Sequence, residues 1–237
     1  MTKRPIIGIT LDYEPTRDQT YSSWYALREN YCSAISRHGA LPMPIPHENH
    51  LIHEYVDHID GLILTGGGYD IPPDYYGSLR HHETLRTNPN RTEFEMKLAQ
   101  AMLLTQKPIL GICGGMELLT VIFGGTLIQD IPTEVGTTIN HQQTPPFDQT
   151  SHALTIKTGT LLHRIVKKST IQVNSSHHQA TRDVPEDIII NALAPDGVIE
   201  GLEHPTHPFC LGVLWHPEYY ASAADEMIFK AFVRAAS

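Results

Sequence analysis

The sequence predicts an α/β protein: a doubly wound, mostly parallel sheet of flavodoxin-like type, extended by a layer of antiparallel strands. Three observations predict it. Short apolar runs suited to buried strands, such as Ile6-Ile7-Gly8-Ile9 and Gly61-Leu62-Ile63-Leu64, alternate with helical segments. These runs end in polar or glycine-rich turns, where open α/β sheets bind ligands. Beyond residue 152 the spacing tightens into short strands joined by tight turns.

Taken in order, residues 5–11 form the first strand and 12–20 a polar loop at its carboxyl end. A helix is expected from Ser22-Ser23 to a stop at Gly39, with Trp24, Leu27, Tyr31, Ala34 and Ile35 near helical spacing and Cys32 a structural residue on it. Residues 41–46 are extended, because each of their prolines biases its predecessor away from the helix. Over 47–58, His47, His50 and His53 recur every third residue; with no His-Glu-x-x-His pattern they read as a solvated helix face rather than metal ligands. Residues 61–65 are a third strand, and Gly66-Gly67-Gly68 follows it without the Lys-Ser/Thr of a phosphate-binding loop.

Residues 71–90 form a long, proline-punctuated loop of the kind that serves as a lid, and a helix opens at Arg91 and runs to about Thr105. The strand 108–112 turns into a helix that ends at Gly124-Gly125, followed by a strand over 126–129 and a loop over 131–150 that contains His141. Apolar positions at 154 and 156, 171 and 173, 188–194 and 198–202 read as strands too closely spaced for intervening helices, with Pro195-Asp196-Gly197 as one turn. Cys210 belongs to a buried strand over 209–215, and 221–235 is a closing amphipathic helix.

At 237 residues the chain suits one domain over 1–237, with no linker-like composition shift inside it. Its formal charge of -9 argues against a nucleic-acid partner, which needs clustered Lys and Arg. Cys32, Cys113 and Cys210 are too few and too scattered for a disulfide framework or a zinc site, so no metal or cofactor is expected and a reducing cytoplasm is the natural location. The apolar run after Lys3-Arg4 is too short for a signal-peptide core, and nothing reaches the length of a membrane span. The assembly state is left open, a homodimer among the options.

The chemistry is carried by Gly111-Ile112-Cys113-Gly114-Gly115. A nucleophile on a sharp strand-to-helix turn needs small neighbours, so that the turn closes and a carbonyl can approach. The helix N-terminus behind it favours the thiolate, the reactive form of cysteine. Far along the chain, Leu211-Gly212-Val213-Leu214-Trp215-His216-Pro217-Glu218 ends a strand in a histidine with a carboxylate two residues on. Cys113, His216 and Glu218 are therefore candidates for nucleophile, base and orienting acid.

These stretches, with Gly124-Gly125-Thr126-Leu127-x-Gln129-Asp130-Ile131 and Val173-Asn174-Ser175-Ser176-His177-His178-Gln179, resemble the class I glutamine amidotransferase-like hydrolases, and within them the γ-glutamyl-γ-aminobutyrate hydrolase branch, peptidase family C26. The resemblance implies hydrolysis of a small γ-glutamyl amide through a glutamyl thioester. It implies oxyanion donors at the N–H groups of Gly67 and Gly114, and places Ser176 and His177 beside the substrate's α-amino and α-carboxylate end. It also makes Ile71-Pro72-Pro73-x-x-Tyr76-Gly77 a substrate-enclosing loop. Three positions depart from the family pattern: Thr92 replaces an aspartate, Gly114 replaces the arginine after the nucleophile, and Glu117 replaces a glutamine. A carboxylate one helical turn from the thiolate raises its pKa unless shielded, or else receives an amine-bearing leaving group, so Glu117 is a candidate substrate contact. Two alternatives share the fold: a glutaminase that delivers ammonia to a synthase partner, and a non-catalytic binding protein.

Overall fold

A computed structural model describes residues 4–14 and 22–237. The first strand, Ile6–Thr10 (β1), pairs in parallel with Leu41–Ile45 (β4) on one side and Gly61–Leu64 (β5) on the other. β5 pairs in parallel with Ile109–Ile112 (β6), and β6 with Cys210–Val213 (β13). β4 is the edge strand, which is why it tolerates Pro42 and Pro44. The residues between Asp12 and Ala26 differ from expectation. Asp12–Glu14 (β2) and Trp24–Ala26 (β3) form a separate antiparallel pair, and the helix starts only at Glu29, as Glu29–Arg37 (α1). Trp24, expected on a helix face, is a strand residue and is 58% exposed, while Tyr31, Ala34 and Ile35 are buried as the spacing required. The remainder of the expected 12–20 loop lies outside the described residues.

Helix Ile52–His58 (α2), helix Pro89–Thr105 (α3) and helix Gly114–Ile122 (α4) pack together on the sheet, while α1 packs with Ala223–Ala235 (α7). Strands covered by helices must be apolar throughout, and β5, β6 and β13 are buried at every position. His50 and His53 are exposed, as expected of a solvated face. His47 is half-buried, with its Nε2 3.0 Å from the Leu11 carbonyl oxygen.

The antiparallel strands continue the same sheet. Ile199–Glu203 (β12) pairs with β13, Ile189–Leu193 (β11) with β12, His152–Ile156 (β8) with β11, and Thr170–Val173 (β9) with β8. Ala180–Asp183 (β10), a strand with no sequence-level prediction, joins β12 to Thr126–Ile128 (β7). Within the loop expected over 131–150, Ile131–Glu134 (α5) forms one helical turn capped by Asp130. One expectation fails outright, since Leu161–Val166 (α6) is a helix between β8 and β9. Its six residues fit because Thr160 Oγ1 accepts from His163 N at 3.1 Å, and Glu203, reaching over from β12, accepts from the N–H groups of Leu161 and Leu162. The second contact is long-range and invisible in sequence. Among the described residues no helix is long and apolar enough to cross a membrane.

Candidate active site

β5, β6 and β13 are neighbours and parallel, so their carboxyl ends open on one edge of the sheet. Those three ends carry Gly66-Gly67-Gly68, Cys113 and His216. Adjacency in the sheet thus brings together segments separated by more than a hundred residues.

Two glycines seat Cys113. Gly111 on β6 and Gly212 on β13 are register partners facing α4. A Cβ on Gly111 would sit 2.6 Å from the Gly115 carbonyl oxygen, and one on Gly212 2.9 Å from Met116 Cγ. Without side chains there, the first turn of α4 lies directly on the sheet. Cys113 absorbs the sharp change of direction with φ +52° and ψ −112°, a backbone conformation that L residues rarely adopt. Strained backbone of this kind clusters at functional turns.

Cys113, His216 and Glu218 are 8%, 7% and 1% exposed. A Cβ at Gly66 would lie 3.1 Å from both Cys113 Cβ and His216 Cε1, so thiol and imidazole meet over the same glycine. His216 Nδ1 donates to Glu218 Oε1 at 2.8 Å, which leaves Nε2 for the sulfur. Burial opposes a charged imidazole, but the Glu218 and Cys113 charges outweigh it and hold His216 well above its usual pKa. The Tyr31 hydroxyl accepts from Gly66 N–H at 3.2 Å; burial, and then the charges of Glu218 and Cys113, push it well above the usual phenol range and keep it neutral.

The glycine loop is held from behind by Arg91, whose Nη2 donates to the carbonyls of Thr65 and Gly66 at 3.0 and 3.1 Å. Asp12 and Glu95 pair with the same guanidinium at 2.7 and 3.2 Å. In a trans peptide the N–H points opposite the preceding carbonyl, so this grip turns Gly67 N–H away from Arg91. Gly67, Cys113 and Gly114 line one cavity, and among the described residues neither glycine N–H has an acceptor. Thr92 is buried and donates its hydroxyl to the Asn88 carbonyl at 3.2 Å.

The same cavity is lined by Glu117, Ser176, His177 and His178, with Arg86 at its rim. Burial, and then the charge of Asp70, push the Glu117 carboxyl up to about 8. Ser176 is half-buried on the cavity wall. The His177 ring is turned inward: Nδ1 donates to the Gln179 carbonyl at 3.0 Å, and Nε2 lies 3.2 Å from Ser175 Oγ. His178 is the histidine that faces the acidic groups, 2.9 Å from Asp70 and 3.5 Å from Asp130. Of the other cysteines, Cys32 is half-buried, and Cys210, wholly buried, is pushed up to about 12.

Sequence reasoning missed three contributors. In the sequence Arg91 marks only a helix start and Tyr31 only a core position. Asn174 does not stand out within its own motif, although it brackets the His216 backbone. A lone arginine after a helix-capping Asn-Pro was the only available signal for Arg91.

A family model described as Peptidase C26 matches residues 5–218. A protein of Rickettsia prowazekii named as glutamine amidotransferase-like is 36% identical over 99% of both chains. The γ-glutamyl-γ-aminobutyrate hydrolase of Escherichia coli K12 is 31% identical over 98% of this chain and 93% of its own. The crystal structure of a GMP synthase-type protein from Thermoplasma acidophilum covers 99% of this chain and 95% of its own, with a TM-score of 0.66 at 18% identity, a likeness of fold.

Proposed function

We propose, from the premise that this chain belongs to the peptidase C26 family, that it hydrolyses a γ-glutamyl amide with Cys113 as nucleophile, His216 as proton carrier and Glu218 as orienting carboxylate. The observation that supports it most is the strained Cys113 turn with the His216–Glu218 pair beside it. Cys113 thiolate attacks the γ-glutamyl carbonyl carbon, and the N–H groups of Gly67 and Gly114 stabilise the oxyanion. Removing one such donor costs roughly 3 kcal/mol of barrier. His216 Nε2–H gives its proton to the departing amine as the C–N bond breaks, leaving a thioester. Water then attacks the thioester, His216 takes its proton, and glutamate and the thiolate leave.

Arg86 at the cavity rim suits the α-carboxylate of the γ-glutamyl end, and Ser176 its neighbouring polar atoms. Glu117, protonated below about pH 8, resembles the amide of the family's glutamine and adds no charge beside the sulfur. The reading favours γ-glutamyl-γ-aminobutyrate or a related γ-glutamyl amine. The test is glutamate release from a panel of γ-glutamyl amines by the wild type and Cys113→Ala, with intact-mass detection of a glutamyl adduct. Turnover that persists in Cys113→Ala, or no release and no adduct from any of them, overturns it.

A further inference from the structure

Behind the turn that carries Ser176, three segments aim imidazoles at one carboxylate. Glu200 on β12 is wholly buried, and its Oε1 lies 3.1 Å from His141 Nδ1, 3.2 Å from His152 Nε2 and 3.3 Å from His177 Nε2. One donor atom each from His141, His152 and Glu200 lie within 4.8 Å of one another.

The outer nitrogens decide what the inner ones offer. His141 Nε2 is held by Asp196 Oδ2 at 3.0 Å, so the proton of a neutral ring sits on Nε2 and Nδ1 presents a lone pair. That Nδ1 is buried, lies 3.1 Å from Glu200 Oε1, and makes no well-aligned hydrogen bond among the described residues. His177 repeats the pattern, because Nδ1 donates to the Gln179 carbonyl and turns Nε2 inward. With both rings neutral, two lone pairs face an anionic oxygen, although the Asp196 and Glu200 carboxylates favour the charged form of His141 and Ser175 Oγ lies 3.2 Å from His177 Nε2; Glu200 Oε2 is itself buried, with no partner among the described residues. One added proton relieves one of these contacts; a cation among the donors relieves them together.

We propose that His141, His152 and Glu200 bind a divalent transition-metal ion of the zinc class, with His177 Nε2 as the nearest further donor. The two imidazole-to-carboxylate separations, 3.1 and 3.2 Å, approach the about 3.3 Å edge of a tetrahedron whose metal–ligand bonds are near 2.0 Å, and the three donor atoms as a set lie within 4.8 Å, so the imidazoles close in on a bound ion. Imidazole with one carboxylate selects zinc-like ions over magnesium or calcium. An outer carboxylate on one imidazole and a backbone carbonyl on another are the supports that metal-bound histidines use. The ion would tie β8, β12 and the loop around His141 to the turn bearing Ser176 and His178, as a structural clamp on one cavity wall.

The test is metal content and cobalt spectroscopy on untagged protein, wild type and Cys113→Ser, after chelator treatment and reloading with Co²⁺ or Zn²⁺. Expected are one bound ion per folded chain in both proteins, visible ligand-field bands with Co²⁺, and a higher melting temperature with metal. His152→Ala, which removes a ligand, should weaken binding by more than the about 10–100-fold that loss of an outer-shell partner causes. A wild-type chain that is folded by circular dichroism, yet shows neither stoichiometric metal nor any spectral response to Co²⁺, overturns the site. So does binding that Cys113→Ser abolishes and His152→Ala spares, because it assigns the ion to the Cys113–His216 pair.

Discussion

Asn174 holds His216 by both ends of one side-chain amide. Its Nδ2 donates to the His216 carbonyl and its Oδ1 accepts from His216 N–H, each at 2.9 Å. Nδ2 also reaches the Phe147 carbonyl at 2.7 Å, so a fully buried amide fixes the backbone of the proposed proton carrier from outside its own strand. Asn174→Ala leaves these backbone groups unpaired, at about 1–3 kcal/mol for each buried group. We expect a lower melting temperature, and kcat to fall more than KM rises, because imidazole placement is lost while the γ-glutamyl contacts remain. Steady-state kinetics with a melting curve check this; a change in KM alone contradicts it.

Cys113 sits at φ +52°, where a side chain is strained and glycine is not. Cys113→Ala keeps the strain and loses the sulfur, whereas Cys113→Gly loses both. Both variants should lose turnover by about 10,000-fold or more. Cys113→Gly should be the more stable of the two by about 1 kcal/mol, since relief of strain outweighs the lost Cβ. Urea denaturation of the two variants measures it, and equal midpoints would show that the turn stores no strain.

We expect Glu117 to set the alkaline side of the pH profile. Its folded pKa of about 8 lies above the ordinary carboxylate range, so stability tied to its neutral form is complete at acidic pH and is lost as pH rises toward about 8. Ionisation also adds negative charge to the cavity that Cys113 lines. We expect kcat/KM to fall above about pH 8, and Glu117→Gln to move that limb to higher pH while raising stability at pH 9 relative to wild type. Superimposable profiles would remove Glu117 from the site's electrostatics.

Gly114 and Gly115 are adjacent but not equivalent. A Cβ on Gly115 would lie 2.2 Å from the Leu64 carbonyl oxygen, while the nearest atom to one on Gly114 is 3.8 Å away. Gly115→Ala must push α4 off β5 and should destabilise by about 3 kcal/mol or more. Gly114→Ala should stay within about 0.5 kcal/mol of wild type. Thermal unfolding of both variants checks the contrast.

Arg91 braces the proposed oxyanion loop through two carbonyls while sharing its charge with Asp12 and Glu95. Arg91→Lys keeps the charge but not the planar fork. Turnover should drop about 10-fold or more, with substrate affinity nearly unchanged. An unchanged kcat would show that Gly67 holds its orientation without the guanidinium.

Whatever depends on local pattern was legible along the chain: the buried strands, the small-residue turn at Cys113, the strand ending in His216-Pro217-Glu218, and the α/β class that follows from them. Backbone sterics and hydrophobic periodicity act between near neighbours, and they leave their mark in order. What only the tertiary structure decided depends on partners far apart in sequence. Asn174 gripping His216, Arg91 beneath the glycine loop and Glu203 capping α6 from β12 are of this kind, and so are the rings of His141 and His152 turned onto Glu200. The strand pair Asp12–Glu14 with Trp24–Ala26 belongs with them, since strand pairing overrode helical spacing there. A polar side chain's role is set by the burial and charge of whatever folds against it, and for these residues that company arrives only when the sheet closes.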